Sequence, residues 1–373
     1  MVGARPNFMK AAPLYRAFEK DGSFDVRIIH TGQHYDEKMS DNFFKELSIP
    51  RPEVNLEVGS GSHGWQTAKI IEKFEKLLIN DRPDWVVVFG DVNSTIACAL
   101  VCAKMDIKIA HVEAGLRSFD RRMPEEINRI LTDQISNVLF TPSIDGNKNL
   151  HEEGIDKKKV YLVGNIMVDT LLTFKDKAIA GKYYEKMGQK RDQYIYLTMH
   201  RPSNVDHKET LVEIFDAIDY IQQKMKVIFA VHPRTKAKIT EFGLDNDLKK
   251  MKNLTLIEPV GYFENLGLQE GARAVITDSG GMQEETTVLG VPCLTMRENT
   301  ERPVTVTSGT SRLVLNKKTE IIKAFNSLEK RRVTKRPKYW DGKTSERVVK
   351  ILKSLTFDHS YDKILSVKSA KNT

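Results

Sequence analysis

Between His111 and Arg129 the chain reads HVEAGLRSFDRRMPEEINR. This stretch and the residues just after it gather Glu113, Arg117, Asp120, Arg121, Arg122, Glu125, Glu126, Arg129 and Asp133. Carboxylates interleaved with guanidinium groups are suited to moving protons and to holding charge that develops during a reaction. Two apolar runs lead into the stretch. WVVVFGD ends on Asp91 and IKIAHVE ends on Glu113. Pro124 then opens a helix, where its missing N–H costs nothing, and Glu125 and Arg129 share one face of that helix. The plain interpretation is a solvated loop followed by a helix-face ion pair. The position favours a site instead, because open α/β sheets bind ligands just past the carboxyl ends of their strands.

A second set of residues suits an anion. His200 and His232 close the apolar runs YIYLTM and VIFAV, and DSGG (Asp278–Gly281) precedes a helical pattern. There Ser279, Gly280 and Gly281 place hydroxyl and backbone N–H groups at a helix N-terminus, a cradle for phosphate. Glu284 and Glu285 follow, able to serve ribose hydroxyls or the helix dipole. Near the start, Gly3 permits a sharp turn, and Arg5 and Lys10 flank a helix start where an anion would bind.

The elements that must position these groups follow from pattern. Runs such as WVVVF and AVIT are apolar on both faces, the mark of parallel strands buried in a doubly wound sheet. At 373 residues the chain exceeds the roughly 250–300 that one core supports. Two successive βα series of similar length predict an α/β protein of two doubly wound domains facing a cleft. The charged, aperiodic stretch Lys175–Asp192 is the expected boundary region. The opening is short of strand: only Met1 and Val2 precede the Gly3 turn, against about five residues for an ordinary strand. The segment from Val26 to Met39 repeats the pattern, with a strand expected to end at Gln33 and His34.

Several classes are set aside. The net charge of +8 includes six basic residues and no acid between Lys330 and Lys338, but no nucleic-acid reading module accompanies them. The surplus suits an anionic small substrate. Cys98, Cys102 and Cys293 make no metal or disulfide pattern, and the first two share an apolar helix face. No run reaches the ~18 apolar residues of a membrane span and no signal peptide pattern opens the chain, so a cytoplasmic protein is expected. Gly59, Gly61 and Gly64 spell G-x-G-x-x-G, yet VNLEV ahead of them alternates. The acid expected about 20 residues on is also missing. The motif reads as a loop before a helix, not as a dinucleotide site. Tyr220/Lys224 and Tyr339/Lys343 match Y-x-x-x-K, a pattern that chance supplies readily.

The motifs together resemble the non-hydrolysing UDP-N-acetylglucosamine 2-epimerases. The matching segments include GARPNFMKAAPL, GDVNST, HVEAGLRSFDRRMPEEINRILTD, HRPSNVD, VHPRT and TDSGGMQEETTVLGVPCLTMRENTERP, in the family's order along nearly the whole chain. The resemblance implies a GT-B fold of two Rossmann-like domains. We expect residues 1–170 as the first and 171–343 as the UDP-binding second, with a helix at about 344–355 packing back onto the first and a disordered tail at 358–373. It also implies catalytic roles for Asp91, Glu113, Glu125 and His200. Nucleotide contacts fall on Arg5, Ser279, Gly280 and Glu285, and Lys10, Arg129 and His232 line the same substrate site. No metal and no cofactor are expected, and the expected assembly is a homodimer acting on a UDP-sugar, feeding surface polysaccharide synthesis. The chain departs from the family pattern in its short first strand, in GARPN for the commoner GTRPE, and in HRPSNVD for HRREN.

The chemistry explains the inventory. Carbon 2 of an N-acetylhexosamine has no adjacent carbonyl to acidify its proton. Expelling the nucleoside diphosphate from carbon 1 builds positive charge on the ring, after which loss of the C2 proton gives a glycal that can be reprotonated on either face. Arg5, Lys10 and the Ser279–Gly281 turn would hold the diphosphate, while Asp91, Glu113, Glu125 and His200 would manage charge and protons. The alternatives are a 2-epimerase of a related sugar such as a UDP-diacetamido uronate, a GT-B glycosyltransferase, a nicotinamide-dependent epimerase and a non-catalytic sensor.

Overall fold

Each apolar run forms a parallel strand, and each is followed by a helix that covers it. The structure is a computed structural model that describes residues 1–32, 50–328 and 336–357. It divides into two compact units, residues 1–170 with 338–373, and residues 171–337.

The first unit opens with α1 (Arg5–Asp21), β1 (Ile29–His30), β2 (Val54–Asn55) and α2 (His63–Asn80). It continues with β3 (Trp85–Phe89), α3 (Asn93–Lys104), β4 (Lys108–Val112) and α4 (Pro124–Ile135), then β5 (Val138–Thr141), α5 (Ile144–Glu152) and β6 (Val160–Leu162). Strands β3 to β6 pair in chain order, all parallel, and β1 pairs with β2. Val88, Ile109, Leu139 and Phe140 are fully buried in the sheet. Cys98 and Cys102 pack into the same core on α3, and burial pushes both thiols up, Cys102 to about 12. Gly59 and Gly61 lie in a loop, while Gly64 falls in the first turn of α2.

The second unit begins inside α6 (Ile166–Ala180), a continuous helix that the division crosses between Thr170 and Leu171. The division falls between the expected segments 1–170 and 171–343, while the second unit ends at Pro337 and not at 343. The charged stretch Lys175–Asp192 lies just past the division, in the end of α6 and the turns that follow it. The unit then runs β7 (Tyr194–Met199), α7 (Lys208–Gln222), β8 (Lys226–Val231), α8 (Pro233–Glu241), β9 (Leu254–Ile257), α9 (Tyr262–Gly271) and β10 (Ala274–Thr277). It ends with α10 (Gly280–Leu289), β11 (Cys293–Met296), β12 (Ser311–Val314) and α11 (Lys318–Asn326). Its six parallel strands lie in the order β12-β11-β10-β7-β8-β9. This order reverses beside β7 and β10, the kind of switch point where such sheets bind ligands.

The chain then returns to the first unit. The Trp340 indole donates to the Pro142 carbonyl at 2.9 Å, and α12 (Thr344–Phe357) packs on α1. Asp169 accepts from the Thr344 and Ser345 backbone N–H groups at 3.1 and 2.7 Å, capping α12. Gln33, His34, Lys330–Lys335 and the tail from Asp358 lie outside the described residues. Among the described residues no helix is long and apolar enough to cross a membrane.

Val2 bridges His30 in parallel, and the Met1 amine donates to the Val87 carbonyl at 2.9 Å. Burial lowers the pKa of that amine. Beside it lies a cavity of about 550 Å³ lined by Met1, Phe18, Phe74, Leu78, Trp85 and Phe357, among others. Filling it with backbone and β-branched side chains adds sheet hydrogen bonds and buries apolar surface. Adding about four such residues ahead of Met1 is expected to raise Tm by roughly 4 °C or more, at about 2 °C per kcal/mol. Calorimetry checks this, and an unchanged Tm would show that the added residues do not enter the sheet.

Candidate active site

In the first unit, the turn after β3 carries Asp91, the turn after β4 carries Glu113, and α4 carries Glu125 in its first turn. The Asp91 carboxylate accepts from Arg129 Nε at 2.9 Å and Nη2 at 2.6 Å. Arg129 is buried and its Nη1 donates to Glu126 at 2.6 Å. Arg129 thus pairs with Glu126, and not with Glu125, which shares its helix face by spacing. Glu126 turns inward because its carboxylate also accepts from Ser118 N at 2.9 Å and Phe119 N at 2.8 Å, closing the loop after β4. Glu125 is left half-buried, with no hydrogen-bond partner among the described residues.

Glu113 is buried with φ at 74°, a backbone conformation that non-glycine residues hold only when their surroundings enforce it. Its carboxylate forms an ion pair with Lys10, itself buried on α1. Lys10 therefore sits one turn into the helix as the partner of Glu113, and does not stand at the helix start beside Arg5, which is the first residue of α1. Gly90, with φ at 62°, ends β3 in a conformation that favours glycine, and a Cβ there would fall 2.8 Å from Lys10 Nζ. Asn7 fixes the opening turn: its Oδ1 accepts from Gly3 N and Ala4 N at 3.2 and 3.1 Å, and its Nδ2 donates to the Phe89 carbonyl at 3.2 Å. A glutamate in its place could do the first but has no N–H for the second. The Asn128 amide donates to the Asp91 carbonyl at 2.8 Å.

In the second unit, β7 and β10 deliver His200 and Asp278 side by side. His200 Nδ1 lies 3.0 Å from Asp278 Oδ1, so the carboxylate fixes the ring proton on Nδ1. Asp278 also accepts from the backbone N–H groups of His200 and Arg201, each at 2.9 Å, and from the Asn204 amide at 3.0 Å. Burial alone would raise the Asp278 carboxyl, but these donors and the His200 charge outweigh it and hold it below its ordinary value. The His232 ring centroid lies 5.3 Å from that of His200. His232 caps α8, and burial and then the His200 charge lower its pKa.

Ser279 caps α10, and Gly280 and Gly281 form its first turn. A Cβ at Gly280 would meet Arg302 Nη1 at 2.8 Å. Arg302 pairs with Glu284 at 2.7 Å and Glu301 at 2.5 Å, and Glu301 also pairs with Arg297 at 2.7 Å. Glu284 therefore serves Arg302. Glu285 is buried and accepts from the Gln269 amide at 2.6 Å. Burial pushes its pKa up to about 7, the Gln269 bond opposes the rise and the Glu284 charge adds to it. If Glu285 accepts hydrogen bonds from nucleotide hydroxyls, it must be ionised to do so. Binding of a UDP-sugar, whose diphosphate does not titrate near neutrality, is then expected to tighten roughly tenfold between pH 6 and 8, as the ionised fraction rises through a pKa near 7. Calorimetric titration checks this, and Glu285→Gln should remove the dependence.

The chain pattern did not reveal Asp278, Glu126, Asn7, or the Arg297–Glu301–Arg302 cluster as structural supports. The acid that ends β10 and the alternating signs of RENTER were the available signals. Of the Y-x-x-x-K pairs, Tyr220 and Lys224 contact each other and Asn326 on an exposed face of α7, and Tyr339 lies under the Arg347 guanidinium at 4.4 Å. Neither pair sits at the carboxyl edge of a strand.

The model of the UDP-N-acetylglucosamine 2-epimerase family matches residues 16–353. A UDP-N-acetylglucosamine 2-epimerase of Methanocaldococcus jannaschii is 48% identical over 361 residues, covering 94% of this chain and 97% of the relative. A UDP-2,3-diacetamido-2,3-dideoxy-D-glucuronate 2-epimerase of Pseudomonas aeruginosa is 39% identical over 360 residues, covering 95% and 99%. The crystal structure of the M. jannaschii UDP-GlcNAc 2-epimerase in complex with UDP-GlcNAc and UDP superposes with a TM-score of 0.85 at 47% identity, over 94% of this chain and 98% of that one. The fold is accordingly of the GT-B type, built from two Rossmann-like units. Architecture, motif order and near full-length likeness agree, and the chain belongs to the UDP-N-acetylglucosamine 2-epimerase family.

Proposed function

We propose that the protein interconverts UDP-N-acetylglucosamine and UDP-N-acetylmannosamine, an isomerase working by elimination of UDP and its re-addition. The observation that carries this reading is the convergence of Lys10, Glu113 and Gly90 beside the Asp91 turn, within a chain 48% identical to an epimerase of that name. Asp91 and Glu113 each have a buried cation in contact, and the half-buried Glu125 sits on the next helix. In the proposed reaction the C1–O bond breaks toward the diphosphate, which takes the electron pair and is held by Arg5 and the Ser279–Gly281 turn. The carboxylates stabilise the oxocarbenium-like ring and take the C2 proton, giving a glycal. Protonation at C2 from the opposite face and return of UDP to C1 complete the inversion. His200, with its Nδ1 proton held by Asp278, offers Nε2 for proton transfer. We propose a homodimer acting in the cytoplasm.

Turnover in D₂O tests the mechanism. Deuterium is expected at C2 of the product, with slow release of free UDP and glycal, and Asp91→Asn should abolish the exchange. Turnover that requires added nicotinamide would replace elimination by C3 oxidation. A second reading, a 2-epimerase of a UDP-diacetamido uronate, is favoured by the 39% identical relative of that name. The ratio of kcat/KM for the two sugars decides between them, and turnover without an acceptor separates both from a glycosyltransferase.

A further inference from the structure

His111 lies on β4, fully buried, two residues before Glu113. Its Nδ1 is 2.7 Å from Asp133 Oδ1 on α4, and its Nε2 is 2.8 Å from the Gly90 carbonyl oxygen. Both partners are acceptors. A neutral imidazole carries one N–H and would set the lone pair of its other nitrogen against an oxygen. A ring protonated on both nitrogens satisfies both contacts.

The surrounding charges agree with that form. Asp133 Oδ2 accepts from Arg117 Nη2 at 2.8 Å and from Gly115 N at 3.1 Å. Arg117 in turn forks onto Glu153, at 2.7 Å from Nε and 2.6 Å from Nη2. With His111 protonated, the two cations His111 and Arg117 balance the two carboxylates Asp133 and Glu153. With a neutral His111, the cluster, in which only Glu153 is partly exposed, would carry an excess negative charge. Burial alone would raise the Asp133 carboxyl, and the His111 and Arg117 charges outweigh that to hold it low.

The cluster also joins the two turns that bear the proposed reacting acids. The Gly90 carbonyl belongs to the peptide that leads into Asp91, and the Gly115 N–H belongs to the turn that follows Glu113. Both glycines have positive φ, 62° and 77°, and Gly115 packs directly on the Gly146 backbone, so neither turn is stiffened by a side chain of its own.

We infer that His111 is held as an imidazolium between the Gly90 carbonyl and Asp133, and that this pair is a positioning device for the Asp91 and Glu113 turns. The inference rests on the epimerase reading only for what those acids do. Removal of the second His111 proton would leave one contact without its hydrogen, and the Gly90–Asp91 peptide would then be free to turn.

Nitrogen-15 NMR of the histidine-labelled full chain tests the protonation state directly. Two ring N–H protons are expected for His111 at neutral pH, and a single ring proton would overturn the assignment. Wherever the second proton is lost in a pH series, its loss should coincide with a fall in kcat measured with UDP-N-acetylglucosamine; midpoints that differ by more than about one pH unit would overturn the positioning role. His111→Gln keeps an N–H for Gly90 but no charge for Asp133. It is expected to lower kcat by roughly 10²-fold, the scale for a displacement of about 1 Å in a reacting group, with KM little changed and the pH-linked fall in kcat removed. A variant with wild-type kcat would overturn positioning yet leave the epimerase reading intact, since that reading stands on activity of the unaltered chain. If His111→Gln does not fold, the coincidence of midpoints in the unaltered protein still decides.

Discussion

Glu113→Gln is expected to lower kcat by roughly 10²-fold or more, the usual scale for loss of a group that transfers protons, and Glu125→Gln by a similar factor. The two should differ in their side effects. Glu113 neutralises the buried Lys10 ammonium and is held in a left-handed backbone conformation, so its replacement leaves a buried charge with only an amide for company. A loss of stability and a shift in the pH profile should accompany the loss of rate. Glu125 is half-buried and has no partner among the described residues, so its variant should be as stable as the parent. Steady-state kinetics with UDP-N-acetylglucosamine, run beside UDP binding by calorimetry, checks both. UDP affinity should survive in each variant, because the proposed phosphate-binding turn is Ser279–Gly281 at the start of α10 and neither residue belongs to it. Near-normal turnover of either variant would remove that residue from the reacting set.

Glu301→Ala is expected to destabilise the second unit by about 3–5 kcal/mol, the cost of removing one partner from a buried ion cluster. Glu301 is 4% exposed and touches Arg297 at 2.7 Å and Arg302 at 2.5 Å, with Arg201 Nη2 at 3.8 Å. Without it, the guanidinium groups of Arg297, Arg302 and Arg201 lose a shared carboxylate, with Glu284 still paired to Arg302. Burial alone would raise the Glu301 carboxyl, and the arginines override this to hold it well below the usual range. Acid should therefore weaken the unit as pH falls toward that low value, while stability from this group is fully present above its unfolded value near 4.5. Urea unfolding of the parent and the variant measures the difference. A change under about 1 kcal/mol would mean that the arginines find water once the carboxylate is gone.

The architecture was legible because buried parallel strands announce themselves as unbroken apolar runs and end on the candidate site residues. Asp91, Glu113, His200 and His232 all follow a strand within two residues, as read from the sequence. Pairings were less legible. The choice of Glu126 over Glu125 as the partner of Arg129 is not set by helical spacing, since residues three and four apart both share a face. It is set by the Ser118–Phe119 turn, which draws Glu126 inward through backbone N–H groups. Lys10 and Glu113 are far apart in the chain, and nothing local to either indicates the other. The charges of Lys175–Asp192 mimic a linker for a related reason: their polarity does not report that α6 runs unbroken through the division at Thr170 and Leu171.

The return of α12 to the first unit has a consequence for the order in which the protein can be made. Residues 171–337 form the second unit from one uninterrupted length of chain, while the first unit waits for residues 338–357 to supply Trp340 and α12. At about 5–20 residues per second on the ribosome, the 187 residues from Leu171 to Phe357 take roughly 10–40 s to emerge. Throughout that interval the face of α1 that α12 will cover has no partner from its own chain, and Asp169 has no helix to cap. The middle of the chain is thus free to reach its native state before the beginning does. A polypeptide released early, at residue 170 for instance, would leave the ribosome with that apolar face bare, and chaperones that engage nascent chains should hold this protein until its final helix has been synthesised.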